Sequence, residues 1–304
     1  MAETLSTDDM EPWTRVLPNG TEVSVREFQW STGKVDEGPQ CFIVDQPAFK
    51  VVEPHFHTED EFQIVTAGDG RLGRHPVRPL AIHYSGAYTP YGPIVPGGDG
   101  IQYYTLRAKR DYGAQFLPAA RDKMDQSAPK RFYMGHDAPA PGEPAVLRTL
   151  SGADLVTVLE PTEEGTASWL LTVGPGAGFT VPSAEKTGGQ YVVVTGGSLE
   201  LGGREYGLWS TAFVWAGEPS YQAAAGPNGL QAIVMQFPEK HEKADLIAAP
   251  AAQQWHCPLC GFIYDEAEGL DIDNIAPGTP FSALPADWTC PNCDAVKTDF
   301  ERLD

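Results

Sequence analysis

Two Cys-x-x-Cys pairs close to the C-terminus constrain this chain more than any other feature. Cys257 and Cys260 flank Pro258-Leu259, and Cys290 and Cys293 flank Pro291-Asn292. Two tight turns that each present two thiolates make a closed, tetrahedral four-sulfur site, which suits iron or zinc. Zinc ribbons usually separate their pairs by roughly 15–20 residues, whereas 29 residues, 261–289, lie between these two. That spacer has a composition of its own, rich in aromatic side chains and in proline turns.

The residues in and around the spacer resemble the rubredoxin family. The likeness runs through Cys257-Pro258-Leu259-Cys260-Gly261, Tyr264-Asp265, Pro277-Gly278-Thr279, Phe281, Leu284-Pro285, Asp287-Trp288, Cys290-Pro291 and Cys293, with Lys297 and Phe300 beyond. The resemblance implies one Fe held by Cys257, Cys260, Cys290 and Cys293 and cycling by one electron; a structural zinc knuckle is the other reading of the same cysteines. One position departs from the family. Asp294 follows the last cysteine, where rubredoxins usually carry glycine. Aspartate tolerates the left-handed backbone that glycine would supply, and it sets a carboxylate beside the site.

A chain of 304 residues predicts two to three domains with a sizeable core. Its 32 glycines and 27 prolines point to many turns and hence to a β-rich architecture. A formal charge of −20 argues against nucleic acid, which needs clustered Lys and Arg. No apolar run approaches the roughly 20 residues of a membrane helix, and the N-terminus shows neither the basic nor the apolar region of a signal peptide. A cytoplasmic protein without membrane attachment is expected. The fifth cysteine, Cys41, reads as buried core.

Charge is unevenly spread. Residues 255–304 hold ten acids against Lys297 and Arg302. Conversely, Arg107, Lys109, Arg110, Arg121, Lys123, Lys130 and Arg131 crowd one stretch. The acidic module is expected to dock on that stretch or on a basic redox partner, where complementary charge speeds encounter; solvated surface charge is the plainer alternative.

The second informative stretch begins at Pro54. On a strand, residues i and i+2 face the same side, so His55 and His57 project together, with Glu61 following after a short turn and Gly68 beyond it. His-x-His-x3-Glu-x6-Gly resembles the first metal motif of the cupin family, with Phe49 where that family usually has another glycine. The resemblance implies an N-terminal cupin holding Fe(II) through His55, His57 and Glu61, a facial ligand set with positions left open for O2 and substrate. A second cupin motif, Pro-x-Gly-x-x-His, falls on Pro90-Tyr91-Gly92-Pro93-Ile94-Val95, so its histidine is replaced by Val95. His83 and His75 are the local candidates for an extra ligand, against core or surface roles. Gln63 shares strand parity with Glu61, and Tyr103 or Tyr104 and Arg107 come from a later strand; these are the candidate pocket residues. Residues 108–145 read as irregular, partly helical at Ala119–Met124, with His136 on the surface.

Residues 146–237 repeat the same strand-and-turn pattern. Setting Gly197 on Gly68 puts Gln190 at the Glu61 position, Ala184 and Lys186 at the histidine positions, and the second motif near Ser220. A second cupin without ligands is expected, packed on the first as a structural repeat. The predicted fold is therefore mainly β: two double-stranded β-helix (cupin) barrels, residues 1–145 and 146–237, a linker at 238–254, and a small rubredoxin-like iron-binding domain at 255–304.

One barrel fold hosts many functions, but the fusion narrows them. A redox-silent barrel has no use for a tethered one-electron carrier, and the tether keeps that carrier at high effective concentration. The expected activity is a non-heme Fe(II) oxygenase, a dioxygenase acting with O2 on a small-molecule substrate such as a hydroxylated aromatic, with the rubredoxin supplying or relaying electrons from a reductase or other redox partner. Two other classes stay open: an electron-transfer protein whose barrels dock a redox partner, and a redox-gated protein that binds a small ligand.

Overall fold

The structure is a computed structural model that describes residues 3–5, 10, 12–27, 38–125, 127–135, 142–239, 253–266, 268–270, 273, 275–276 and 278–303. His136, Pro277 and residues 240–252 of the tether lie outside these.

The first strands are β1 (Glu3–Leu5), β2 (Trp13–Val16), β3 (Glu22–Glu27), β4 (Gln40–Gln46), β5 (His55–Phe56), β6 (Glu61–Leu72), β7 (His75–Val77), β8 (Ile82–Ser85), β9 (Ile94–Arg107), β10 (Gln115–Phe116) and β11 (Phe132–Gly135). Strands β2 to β11 build a first barrel in the order β11-β8-β6-β9-β4-β3-β2, with β7 paired to β6 and β5 to β10. Period two divides its side chains. Phe42 and Val44 of β4 turn inward with Val23, Val25, Val65 and Tyr103, while Cys41 and Ile43 turn outward with Phe62, Ile64, Tyr104 and Leu106. Both faces are buried, which is why β4 reads as an unbroken apolar run. Between Ala119 and Met124 the chain makes only a 3-10 turn, Arg121–Lys123.

The second set is β12 (Ala153–Leu159), β13 (Ala167–Val173), β14 (Gly178–Thr180), β15 (Gln190–Leu201), β16 (Arg204–Tyr206), β17 (Thr211–Val214) and β18 (Gln222–Gln236). These form a second barrel in the order β17-β15-β18-β13-β12, and β1 crosses over to pair with β17. The repeat is visible in the backbone. Pairing of β6 with β9 slips at Val65/Ala67 and Gly68/Gly70, and pairing of β15 with β18 slips at Val194/Gly196 and Gly197/Leu199. Gly68 (φ +71°) and Gly197 (φ +64°) sit at these bulges, where a Cβ would lie 2.2 Å and 2.0 Å from the carbonyl oxygens of Gly100 and Gly229.

The outward face of the first barrel packs on Leu170, Tyr191, Val193, Phe213, Ile233, Met235 and Phe237 of the second. The second barrel's interior is filled by aliphatic side chains such as Leu171, Val181, Val192, Val194, Leu230 and Val234. At the positions matching the first barrel's motif, Ala184 is buried, Lys186 is exposed, and Gln190 donates to Ser183 O and Gln236 Oε1.

The C-terminal module holds β19 (Gln254–His256), β20 (Ile263–Asp265) and β21 (Glu301–Leu303) in the order β20-β19-β21. Trp255, Tyr264, Phe281, Trp288 and Phe300 pack beside the cysteines as its core. Among the described residues no helix is long and apolar enough to cross a membrane.

Candidate active site and thiolate centre

Each cysteine pair lies in a tight knuckle. Gly261 N–H donates to Cys257 O at 2.8 Å and Asp294 N–H to Cys290 O at 3.0 Å. Gly261 has φ +80° and Asp294 φ +59°, so Asp294 adopts the left-handed backbone that the sequence required of it. The four sulfurs all lie within 4.8 Å of one another, with Cys257–Cys293 at 3.6 Å and Cys260–Cys290 at 3.5 Å. A tetrahedron with metal–sulfur bonds of roughly 2.3 Å has edges of about 3.8 Å, so the donor set fits one metal ion.

The barrel site is built where β5 and β6 meet the loop before β9. His55 and Tyr91 exchange backbone hydrogen bonds (His55 N to Tyr91 O 3.0 Å, Tyr91 N to His55 O 2.9 Å), which brings the Tyr91 ring over the histidines. His55 Nδ1–H donates to Glu53 O at 2.8 Å and His57 Nδ1–H to Asp111 Oδ1 at 2.8 Å. Metal-ligating histidines are usually tied back through the other ring nitrogen in this way. Both Nε2 atoms then face the cavity, beside Glu61, whose Oε2 is 3.7 Å from His57 Nε2. Burial presses the His55 pKa down to about 3, so its imidazole is neutral. Burial pushes Glu61 up, but Arg107, His57 and a hydrogen bond from Tyr91 together hold it below the usual carboxylate range. Neutral imidazole and ionised carboxylate are ligand chemistry for a divalent transition metal.

Two hydrogen-bond donors stand against those lone pairs. Tyr91 Oη donates to Glu61 Oε1 at 2.5 Å and lies 2.9 Å from His55 Nε2. The Arg107 guanidinium bonds Glu61 Oε2 directly and comes within 3.2 Å of His57 Nε2. Gln63 Nε2 donates to Tyr91 Oη at 3.3 Å, and its Oε1 accepts from His83 Nδ1 at 3.2 Å. The cavity is about 50 Å³, walled by Val23, Val25, Phe42, Val44 and Phe116.

The structure thus brings His55, His57, Glu61, Gln63, Tyr103 and Arg107 to one cavity. Tyr104 points the other way and donates to Trp209 O. His83 does not join the three: it stands behind Gln63, its ring against Phe132, and Tyr91 fills the place near His55. His75 also packs on Phe132, in the β7 hairpin. Val95 pairs with Arg71 in the sheet. Phe49 has φ +59° and is exposed, so it keeps the backbone of the glycine it replaces. Sequence reasoning missed Tyr91 and Asp111. Tyr91 lies inside the Pro90-x-Gly92 motif, which was a signal; Asp111 follows β9 in a loop and gave none.

The thiolate module sits on the first barrel, but not as its charge pattern predicted. Of the basic stretch, Arg107 is committed to Glu61, Arg110 to Glu27 and Arg131 to Glu164. Arg121 alone of these is seen bonding the module, donating to Pro258 O at 2.6 Å. The ion pairs come instead from the β6–β7 hairpin, Arg74 with Asp273 and Arg71 with Asp294 at 3.8 Å. Shape, not charge density, decides this: Gly73 fits so closely against the second knuckle that a Cβ would lie 2.7 Å from Pro291 O and Asn292 O.

The rubredoxin family model matches residues 254–300. Rubredoxin-1 of Alcanivorax borkumensis is 52% identical over 52 residues, 17% of this chain and 96% of that protein. A rubredoxin of Megasphaera elsdenii is 55% identical over 51 residues, again 17% of this chain and 96% of that protein. This likeness and the four-cysteine cluster support one iron at the C-terminal site. Among solved structures, a "putative dioxygenase" from Nostoc punctiforme superposes with a TM-score of 0.57 at 15% identity, covering 82% of this chain and 87% of that one. A bacterial pirin from Escherichia coli in complex with nickel(II) gives 0.51 at 10%, covering 79% and 100%. A mutant of oxalate decarboxylase from Bacillus subtilis gives 0.50 at 14%, covering 79% and 78%. At such identities these show the fold: two cupin barrels ahead of the module.

Proposed function

Because the chain belongs to the rubredoxin family through residues 254–300, behind two cupin barrels, we propose that it is a non-heme Fe(II) oxygenase served by its own one-electron carrier. It acts with O2 on a small organic substrate, and an external reductase or other donor reloads the carrier. The observation that carries this reading is the pair His55 and His57, each tied back through Nδ1 beside ionised Glu61, in a cavity on whose outer wall the thiolate module is docked. A resident iron, held by His55 Nε2, His57 Nε2 and Glu61, would supply Lewis acidity and one-electron chemistry toward O2.

The chain's own residues do the rest. Glu53 O and Asp111 fix the orientation of the two rings. Burial, then Glu61, raises the Tyr91 pKa well above its ordinary value, so Tyr91 keeps its proton and offers it to an oxygen in the cavity. Arg107 neutralises Glu61; with Glu61 holding a metal, the guanidinium would be the counter-ion for an anionic substrate group. A cavity of about 50 Å³ is well under the roughly 150 Å³ that accommodates benzene. Within the walled part of the site a small oxygen-bearing acid fits more readily than a hydroxylated aromatic.

Arg107 also favours a second reading. Its N–H and the Tyr91 O–H already satisfy Glu61, and the guanidinium lies against His57, so the barrel is electrostatically closed by itself, as in an electron-transfer protein whose barrels only dock a redox partner. Metal content per chain, with a visible spectrum and O2 uptake, on the purified protein and on Cys290→Ser and His57→Ala separates the two. The oxygenase reading expects each variant to lose a different metal and His57→Ala to lose substrate-dependent O2 uptake. One iron removed by Cys290→Ser alone would end it in favour of electron transfer.

A further inference from the structure

We propose that Asn292 and the Pro90–Tyr91 peptide form the route by which an electron passes between the thiolate centre and the barrel site; this rests on the oxygenase reading above. Asn292 lies in the second knuckle, between Pro291 and the ligand Cys293, and is 1% exposed. Its side chain reaches outward. Nδ2 donates to Pro90 O at 2.5 Å, across 202 positions of sequence.

The Pro90 carbonyl belongs to the same peptide unit as the Tyr91 N–H, and that N–H donates to His55 O at 2.9 Å. The Tyr91 side chain then enters the barrel and ends between His55 Nε2 and Glu61 Oε1. From Cys293 to His55 the path is covalent except for two hydrogen bonds, with no crossing through solvent. Neighbouring contacts hold it shut. A Cβ on Gly261, in the first knuckle, would lie 2.9 Å from Met124 Cε and 3.4 Å from Pro90 Cγ, so both knuckles press on the loop that carries Tyr91.

The step moves one electron and nothing else. The thiolate iron goes from ferrous to ferric, a one-electron-oxidised transition metal at His55, His57 and Glu61 is reduced, no bond breaks, and Tyr91 keeps its proton. Asn292 is a positioning residue: it touches neither metal. A purely structural Asn292 would tie the module down and do no more, and Arg74 supplies the comparison, because its pair with Asp273 holds the same interface off the route.

The test is rapid mixing of the dithionite-reduced full chain, metal content assayed in the same samples, with oxygenated buffer while the ferric-thiolate absorbance recovers. Asn292→Leu keeps the volume and removes the donor; Asn292→Asp, a second variant, keeps the shape and turns the donor into an acceptor. The expected result is recovery slowed by an order of magnitude in both, with the ferric spectrum and reduction potential of the thiolate iron unchanged in Asn292→Leu, and little change in Arg74→Ala. Equal slowing in all three variants, or an unchanged rate in Asn292→Leu with both metals present, would overturn the route alone. A chain whose barrel takes up no metal would overturn the route and the oxygenase reading together.

Discussion

Replacing Arg107 with leucine tests whether the barrel site is a masked cation site. Arg107 is 3% exposed; its guanidinium bonds Glu61 Oε2 and approaches His57, and Nη1 donates to Gln40 Oε1 at 2.6 Å. Glu61 is fully buried, and burial alone would raise its pKa, so removing Arg107 strands a carboxylate whose remaining neutral donor is Tyr91. Breaking a buried pair on one side costs about 3–5 kcal/mol. For a body of this size each kcal/mol moves the melting temperature by about 2–4 °C, so the metal-free variant is expected to melt about 6–20 °C lower. A divalent cation should then replace the lost charge. Bound to the folded state at a hundredfold excess over its Kd it returns about 2.7 kcal/mol, whereas the wild-type protein, which must first give up its own ion pair, gains less. Calorimetry of chelated protein, with and without added Mn(II), reads both effects. A loss under about 1 kcal/mol would refute the buried-pair argument, and a variant that Mn(II) fails to stabilise would refute the donor set as a metal site.

Three further outcomes are expected. Burial presses the His83 pKa to about 3, below the roughly 6.5 of the unfolded chain, so the unfolded state takes a proton the native state refuses. Stability attributable to His83 is therefore whole above about pH 6.5 and falls by up to about 1.4 kcal/mol per unit below it; urea midpoints at pH 7 and pH 5 should differ less in His83→Leu. Gly197→Ala meets both a positive φ and Gly229 O at 2.0 Å, while Gly202→Ala meets the same φ, +64°, in open space. The first should cost about 2–4 kcal/mol and the second about 1, and equal urea midpoints would remove the bulge from the account. Arg74→Glu, against Asp273, should release the thiolate module and raise the radius of gyration in X-ray scattering at low salt; an unchanged radius would leave the hairpin contacts without a docking role.

Much of this molecule was legible because the signals are local. Cysteine spacing fixes the two knuckles whatever surrounds them, and the need for a left-handed residue at Asp294 follows from the knuckle itself. Alternation put His55 with His57 and Gln63 with Glu61, and the bulges at Gly68 and Gly197 carried the repeat into the backbone. What the sequence could not decide is which donors meet across a closed barrel. Tyr91 reaches Glu61 across 30 positions, Arg107 across 46, and Asp111 reaches His57 across 54. Docking is similar: most of the crowded basic stretch is spent within the two barrels, Arg110 on Glu27 and Arg131 on Glu164, and the module follows a glycine that lets two backbones approach. Local spacing specifies ligand sets because neighbouring side chains share a strand or a turn. Counter-ions, proton donors and electron routes depend on sheet register and on close packing, which exist only once the barrel has closed.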